Sequence, residues 1–457
     1  MVDKLHSKTI MDELQSFLDG DKKFQEVIDS VEGLQTSNET VQDVINALDE
    51  IKEENEAEYK RDAFGRQRIS GAETVFQNTF QYGLNELVWF QEENGTGSIT
   101  HLENKSAVEL EVGTADGDLR ALQSKKYLRY EPGKSQLIMM SFVLGDEKEN
   151  CEKIIGYGDK ENGVFFEQKG DTYQFFIRSK TSGTVSEDTV VQENWNIDAM
   201  DGNGPSGINL DGTKAQLLVI DLEWLSVGRV RVGFASKGKI YYVHEFEHTN
   251  IIDSPYMATA NLPIRYEITN DGTTTSNTSM DVICVSVISE GGQEFANPYP
   301  FSVSNGTDEK TVGTREPILS IRPKENFNNI TNRVETFFRQ AEVVATSNDA
   351  FVEVVYNGTL TTEDAGTEPA WEDVDTGNST MEYNTDADEI SGGIVIDAFT
   401  ATAGSGNTKT VNRQQITSKL PLVVDIDGEN PIPISIVVTS YSGDTTVSGV
   451  LSWDSVY

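Results

Sequence analysis

Several short stretches of this 457-residue chain combine residue types that could do chemistry. HEFEH (244–248) has the spacing of a zinc protease motif, in which two histidines four apart share one helix face and the glutamate acts as base. Here it continues KIYYV, a run with strand alternation. Along a strand four residues span about 13 Å, too far for His244 and His248 to share an ion. The other histidines are His6 and His101, and neither suggests a third ligand. Asp221 and Glu223 in VIDLEW alternate onto one strand face, as the acid and base of a glycoside hydrolase would. With 75 acidic residues in the chain, such pairs also arise by chance. GNGPSG (202–207) matches the dinucleotide loop, but Pro205 sits inside it and no helix start follows. PGKS (132–135) resembles the end of a phosphate loop, yet Leu128 stands where its first glycine belongs and a strand follows. The Asp-rich turns NIDAMDGNG, DIDGENP and NTDADE could hold calcium, although none completes the twelve-residue calcium loop. No catalytic, cofactor-binding or metal-binding residue is nominated. The chain reads as not an enzyme and as needing no cofactor, calcium being the one ion its loops could take.

Composition sets the frame. The net charge of −39 opposes binding to a phosphate backbone, so nucleic acid is not an expected partner. Two cysteines, Cys151 and Cys284, are too few for a disulfide framework. No stretch approaches the roughly 18 apolar residues of a membrane span, so insertion is not expected. The first twenty residues lack the apolar run of a secretory signal. Hydrophobic residues make up 37%, enough for real cores.

Residues 1–60 read as helical. Thr36 and Glu39 match a capping box, and after them Val41, Val44, Leu48, Ile51 and Asn55 recur in steps of three and four. This predicts a short coiled-coil seam that holds copies together as a homo-oligomer, a trimer being compatible with its Val and Ile residues. The alternative is an amphipathic helix lying on its own body. From about residue 69 the texture changes to β-branched runs between turn signals such as ENGTG, GDKENG and SKGK. GRVRVGFASKGKIYYVHEF predicts a hairpin. With no helices between the runs, the sheets should be antiparallel. The fold expected is mainly β: a helical anchor over 1–60, a jelly-roll-like β-sandwich body over 61–298, and a second C-terminal β-sandwich over 299–457. LPLVVDIDG is read as one of its strands, and the acidic run 361–391 as a mobile or ion-dependent excursion. Trp195, Trp224, Trp371 and Trp453 could stack on sugars, though most are expected in the core.

Between helix and strand lies EYKRDAFGRQRIS (58–70), a basic joint in an acidic chain. Arg61, Phe64, Gly65, Arg66 and Arg68 are its residues of interest, the arginines placed to pair with acidic groups where copies crowd together. RDAFGRQRIS also resembles the joint that opens the β-rich body of a family of fibre-like virion structural proteins of tailed bacteriophages. YEPGKSQLIMMSFV (130–143), IGYGDKENGVFFEQ (155–168), WNIDAMDGNGPSG (195–207), LVIDLEWLSVGRVRVGF (218–234), IYYVHEF (240–246), TANLPIRYEI (259–268), VYNGTL (355–360) and SGVLSWD (448–454) extend the likeness. It implies a virion location, a role as a fibre or capsid decoration, and contact with capsid, portal or tail proteins. A receptor-binding tail fibre that recognises host surface carbohydrate is the alternative, and a polysaccharide-degrading enzyme is a third reading. The family carries no catalytic motif to transfer.

Overall fold

The computed structural model describes residue 62 and residues 71–292, 298–306, 308–362, 366–404, 412–415 and 420–456. The described strands all belong to one unit, Ile69–Tyr457. The expected helical anchor, with Val41, Val44, Leu48, Ile51 and Asn55, lies outside the described residues, as do Arg61, Phe64, Gly65, Arg66 and Arg68 of the joint. Among the described residues there is no α-helix and no helix long and apolar enough to cross a membrane. The body is mainly β, and its ladders are antiparallel.

Period-two alternation builds the first sandwich. Its strands are β1 (Ala72–Thr79), β2 (Trp89–Asn94), β3 (Gly97–Leu102), β4 (Ala107–Val112), β5 (Leu119–Ser124), β6 (Ser135–Val143), β7 (Lys148–Gly158), β8 (Gly163–Gly170), β9 (Thr172–Ser179), β10 (Ser186–Val191), β11 (Gln216–Leu222), β12 (Val230–Ser236), β13 (Lys239–Phe246), β14 (Ile264–Asn270) and β15 (Thr278–Glu290). One sheet runs β13-β12-β11-β6-β15-β4-β3, and the facing sheet runs β10-β9-β8-β7-β14-β5-β2. The long β15 carries two partners end to end on one edge: β4 along Thr278–Val282 and β1 along Cys284–Glu290. Alternate residues of the two sheets meet in one core. Phe142, Phe166, Phe175, Phe234 and Trp195 form its aromatic centre, with ring centroids 5.0–6.5 Å apart. Burial of each such ring contributes roughly 1.5–3 kcal/mol to the contact between the sheets.

The hairpin predicted from SKGK forms at β12–β13. Lys237 and Gly238 both take positive φ (51° and 79°), as a two-residue turn requires to match strand twist, and glycine accepts that conformation without strain. In β7, by contrast, the charged letters of KENCEK conceal a strand. Lys153 is buried there, its Nζ donating to the carbonyls of Leu144 and Asp146 at 2.7 and 2.8 Å.

The second sandwich comprises β16 (Tyr299–Ser304), β17 (Lys310–Val312), β18 (Glu316–Pro323), β19 (Asn326–Phe327), β20 (Ile330–Thr331), β21 (Glu335–Ala345), β22 (Ala350–Thr361), β23 (Glu372–Asp373), β24 (Met381–Asn384), β25 (Glu389–Ala401), β26 (Asn412–Gln415), β27 (Ile434–Ser440) and β28 (Thr445–Val456). Its sheets run β16-β28-β21-β26, with β17 also on β28, and β23-β24-β18-β27-β22-β25; β19 and β20 form a separate pair. LPLVVDIDG is not a strand. Leu422, Val424 and Ile426 do point inward, but the carbonyls of Asp425 and Ile426 accept from the Arg333 guanidinium (2.7 and 3.0 Å) rather than from a neighbouring ladder. The described part of the acidic run 361–391 is built into the body, not a loose excursion. β24 pairs with β18, Arg322 bonds Glu382 at 2.5 Å, and its guanidinium lies 4.1 Å from the Trp371 ring centre.

Candidate functional site

Asp221 and His244 sit on β11 and β13 of the first sandwich, joined through β12, with Glu223 and His248 just past the strand ends. Register sets Asp221 opposite Arg231, and Arg231 opposite Glu245. Asp221 and Arg231 are both 0% exposed, joined by Nη2 to Oδ2 at 2.7 Å. The Tyr242 hydroxyl donates to the same oxygen at 2.7 Å, and the guanidinium lies 4.2 Å from the Tyr242 ring centre. A carboxylate held this way supports the sheet and is poorly placed to take a proton from a substrate. Glu223 falls beyond the end of β11, where its N–H donates to the Arg229 carbonyl at 3.0 Å. The structure therefore does not assemble Asp221 and Glu223 into an acid–base pair.

His244 lies on β13 and His248 just past it, on different partners. His244 Nδ1 accepts the Asn196 N–H at 3.1 Å, so that nitrogen must stay unprotonated. His248 Nδ1 donates to the Gly228 carbonyl at 2.7 Å, and its ring stacks on Tyr256 at 4.0 Å. Among the described residues, no group of three or more His, Cys, Asp or Glu side chains could hold a metal. Burial pushes the His244 pKa down to about 4 and that of His248 in the same direction. A depressed histidine contributes stability above its unfolded value of 6.5 that is lost as pH falls toward 4. Replacing His244 with leucine should flatten that acid limb by about 1–3 kcal/mol, measured by urea unfolding at pH 7 and pH 4.

The glycine loop folds around its own carboxylate. Asp198 accepts from the N–H groups of Met200 (2.8 Å) and Ser206 (2.7 Å), and a Cβ on Gly204 would come within 2.0 Å of Asp198 Oδ1. An anion would have to displace that carboxylate, so the loop is no phosphate cradle. Asp425 accepts the Glu429 N–H at 2.9 Å in a similar local turn. Of the tryptophans, Trp195 and Trp453 are buried, Trp224 packs against the first core edge-on to Tyr130, and Trp371 is covered on one face by Arg322.

Two features escaped the sequence reading. Glu167, between Phe166 and Gln168 on β8, reads as a solvent-facing residue but is 4% exposed. Burial first, and then the nearby charge of Glu152, push its pKa up to about 7; Gln174 donates to its carboxylate. Because the folded pKa is raised, the folded state holds the proton longer than the unfolded chain. Stability from this group is greatest below pH 4.5 and is lost as pH rises to about 7. Glu167→Gln should therefore stabilise the protein by about 1–3 kcal/mol at pH 8 and leave it unchanged near pH 4, read from paired urea midpoints.

The other feature is a cleft of about 1060 Å³ between the two sandwiches. Phe76, Asn85 and Lys126 line one wall, and Arg333, Thr336 and Phe337 line the other. The surrounding junction is tightly made. Leu87 and Phe90 of the first sandwich pack against the second core. Lys160 bridges Glu92 and Asp427, both at 2.7 Å; Lys126 meets Glu335 at 2.7 Å; Arg333 lies 4.5 Å from the Tyr127 ring centre. No local motif could announce this cleft, because its walls come from two segments far apart in the chain, one ending at Tyr127 and the other beginning at Pro298.

No family model matches the chain, and no curated protein matches it. Solved structures do. A Bacteroides ovatus mixed linkage glucan GH16 protein, solved with a G4G4G3G product, is 11% identical, covering 47% of this chain and 99% of its own at a TM-score of 0.33. A putative beta-glucanase from Mycobacterium abscessus is 13% identical, covering 47% and 100% at 0.33. A legume lectin-like domain from Entamoeba histolytica is 14% identical, covering 44% and 89% at 0.26. No substrate or residue role passes from these to the present chain. They do correct the expectation that it is not an enzyme: glycoside hydrolases stand among the matching structures, so an exclusion drawn from missing motifs does not hold.

Proposed function

We propose that the chain is a structural component of a tailed phage particle, a fibre or decoration protein that attaches through a helical coiled-coil anchor in residues 1–60 and displays jelly-roll-like β-sandwiches outward. The junction between the sandwiches is the observation that carries this reading. Apolar contacts of Leu87 and Phe90, together with the Lys160 bridge to Glu92 and Asp427, hold the outer sandwich in one orientation. A displayed body needs that rigidity, since several copies reinforce one another only when their geometry is fixed. Capsid, portal or tail proteins are the partners in this reading, with further copies of the chain. Gold labelling of intact particles with antibodies against residues 299–456 tests it. Label on the particle surface is expected; particles that lack the protein, or that carry it only inside, would overturn the assignment.

A second reading, a tail fibre that recognises host surface glycan, draws support from the cleft. Its amide, hydroxyl and charged groups beside apolar walls are of the kind that orient a polar ligand. Label confined to the tail, with glycan binding weakened by Asn85→Ala, would favour it over a decoration role.

A further inference from the structure

Strand β25 ends one sheet of the second sandwich. It pairs with β22 on one side and with no described strand along the other. Thirteen residues long, it contains neither Lys nor Pro, the residues that usually blunt a free edge. Its irregularities are a register shift opposite Val354 and Val355 and left-handed φ at Gly392 and Gly393 (62° and 73°), so the regular edge runs from Ile394 onward. Ile394 and Val395 are 46% and 48% exposed, and Phe351 and Tyr441 nearby are 37% and 59% exposed. A long apolar edge left open in this way is a template for another strand.

Charge decides what that strand belongs to. Two copies of a chain carrying −39 repel each other over most of their surface and can approach only where charge is scarce. From Ile390 to Ala401 there is one charged residue, Asp397, and its Oδ1 already accepts the Ala398 N–H at 2.8 Å. An antiparallel pair of β25 strands about a two-fold axis at Val395 would set Ile394 opposite Ile396, and Asp397 opposite Gly393. No two carboxylates meet in that register, and at its centre Ile394, Val395 and Ile396 face apolar side chains, while Phe399 falls opposite Ser391. A cationic partner, by contrast, would be drawn to the acidic remainder of the surface. We infer that β25 is an edge-to-edge contact between two copies of this chain, closed by a two-fold axis.

Hydrogen exchange on the full chain tests it. Amides of residues 389–401 should exchange about tenfold more slowly at high protein concentration than at low. Val395→Lys should abolish that slowing while leaving the thermal transition in place, because the side chain is half exposed. On a Cys284→Ser background, Val395→Cys should give a disulfide-linked pair on mild oxidation, since opposed residues bring their Cβ atoms within disulfide range. Exchange independent of concentration, together with no cross-link, would overturn the inference. So would slowing seen only when other particle proteins are added, which would assign the edge to a different partner.

Discussion

Replacing Asp221 with alanine should destabilise the first sandwich by about 3–5 kcal/mol, the range found when one member of a buried ion pair is removed. Arg231 would keep its charge at a site with no solvent exposure, and the Tyr242 hydroxyl would lose its acceptor. The cost arises from removing the carboxylate that faces a fully buried guanidinium. The double variant Asp221→Leu, Arg231→Met should recover part of the loss, because a packed apolar pair avoids desolvating two charges, although the Tyr242 hydroxyl still lacks the Asp221 oxygen. Urea midpoints for wild type, the single variant and the double variant make the comparison. A single-variant loss below about 1 kcal/mol would place the pair among ordinary surface bridges. A double variant as weak as the single one would show that these charges specify the sheet in a way apolar residues cannot.

Trp453→Ala should cost the second sandwich about 3–5 kcal/mol, as large-to-small changes at fully buried aromatic sites do. Trp453 is 0% exposed, stacks on Phe301 at 6.1 Å, and lies on β28, the strand that β16, β17 and β21 all join. Emptying that site removes support from the middle of a sheet. Hydrogen exchange should show faster opening of β21 and β28, while β6 and β11 of the first sandwich stay protected. A small loss of stability would revive the idea that this ring faces outward as a sugar platform.

How legible the molecule was depended on where its charges lie. Strands with clean alternation, such as QLLVIDL and VRVGFAS, could be read directly, and so could the turn at Lys237 and Gly238. β7 and β5 could not: Lys153 and Arg120 are buried cations whose partners are backbone carbonyls, and their letters mimic a solvated surface. LPLVVDIDG failed in the opposite sense. Its alternation reports true burial, but a side chain, Arg333, takes the carbonyls that a neighbouring strand would have used. The candidate chemistry was misread for a related reason. HEFEH and VIDLEW each run off the end of a strand, leaving His248 and Glu223 outside β13 and β11, and only the register shows that Asp221 answers to Arg231 rather than to Glu223. The cleft depends on contacts across the whole body, which no window of sequence contains.

The pairing of β1 with the far half of β15 bears on how the chain is made. Residues 72–79 have no berth until residues 284–290 have left the ribosome, and β16 likewise waits for β28. Each sandwich is thus latched by its first strand closing on its last, so a nascent chain must hold two sticky leading segments open in turn. Slow translation or a chaperone between those moments should matter more to yield than the stability of the finished product.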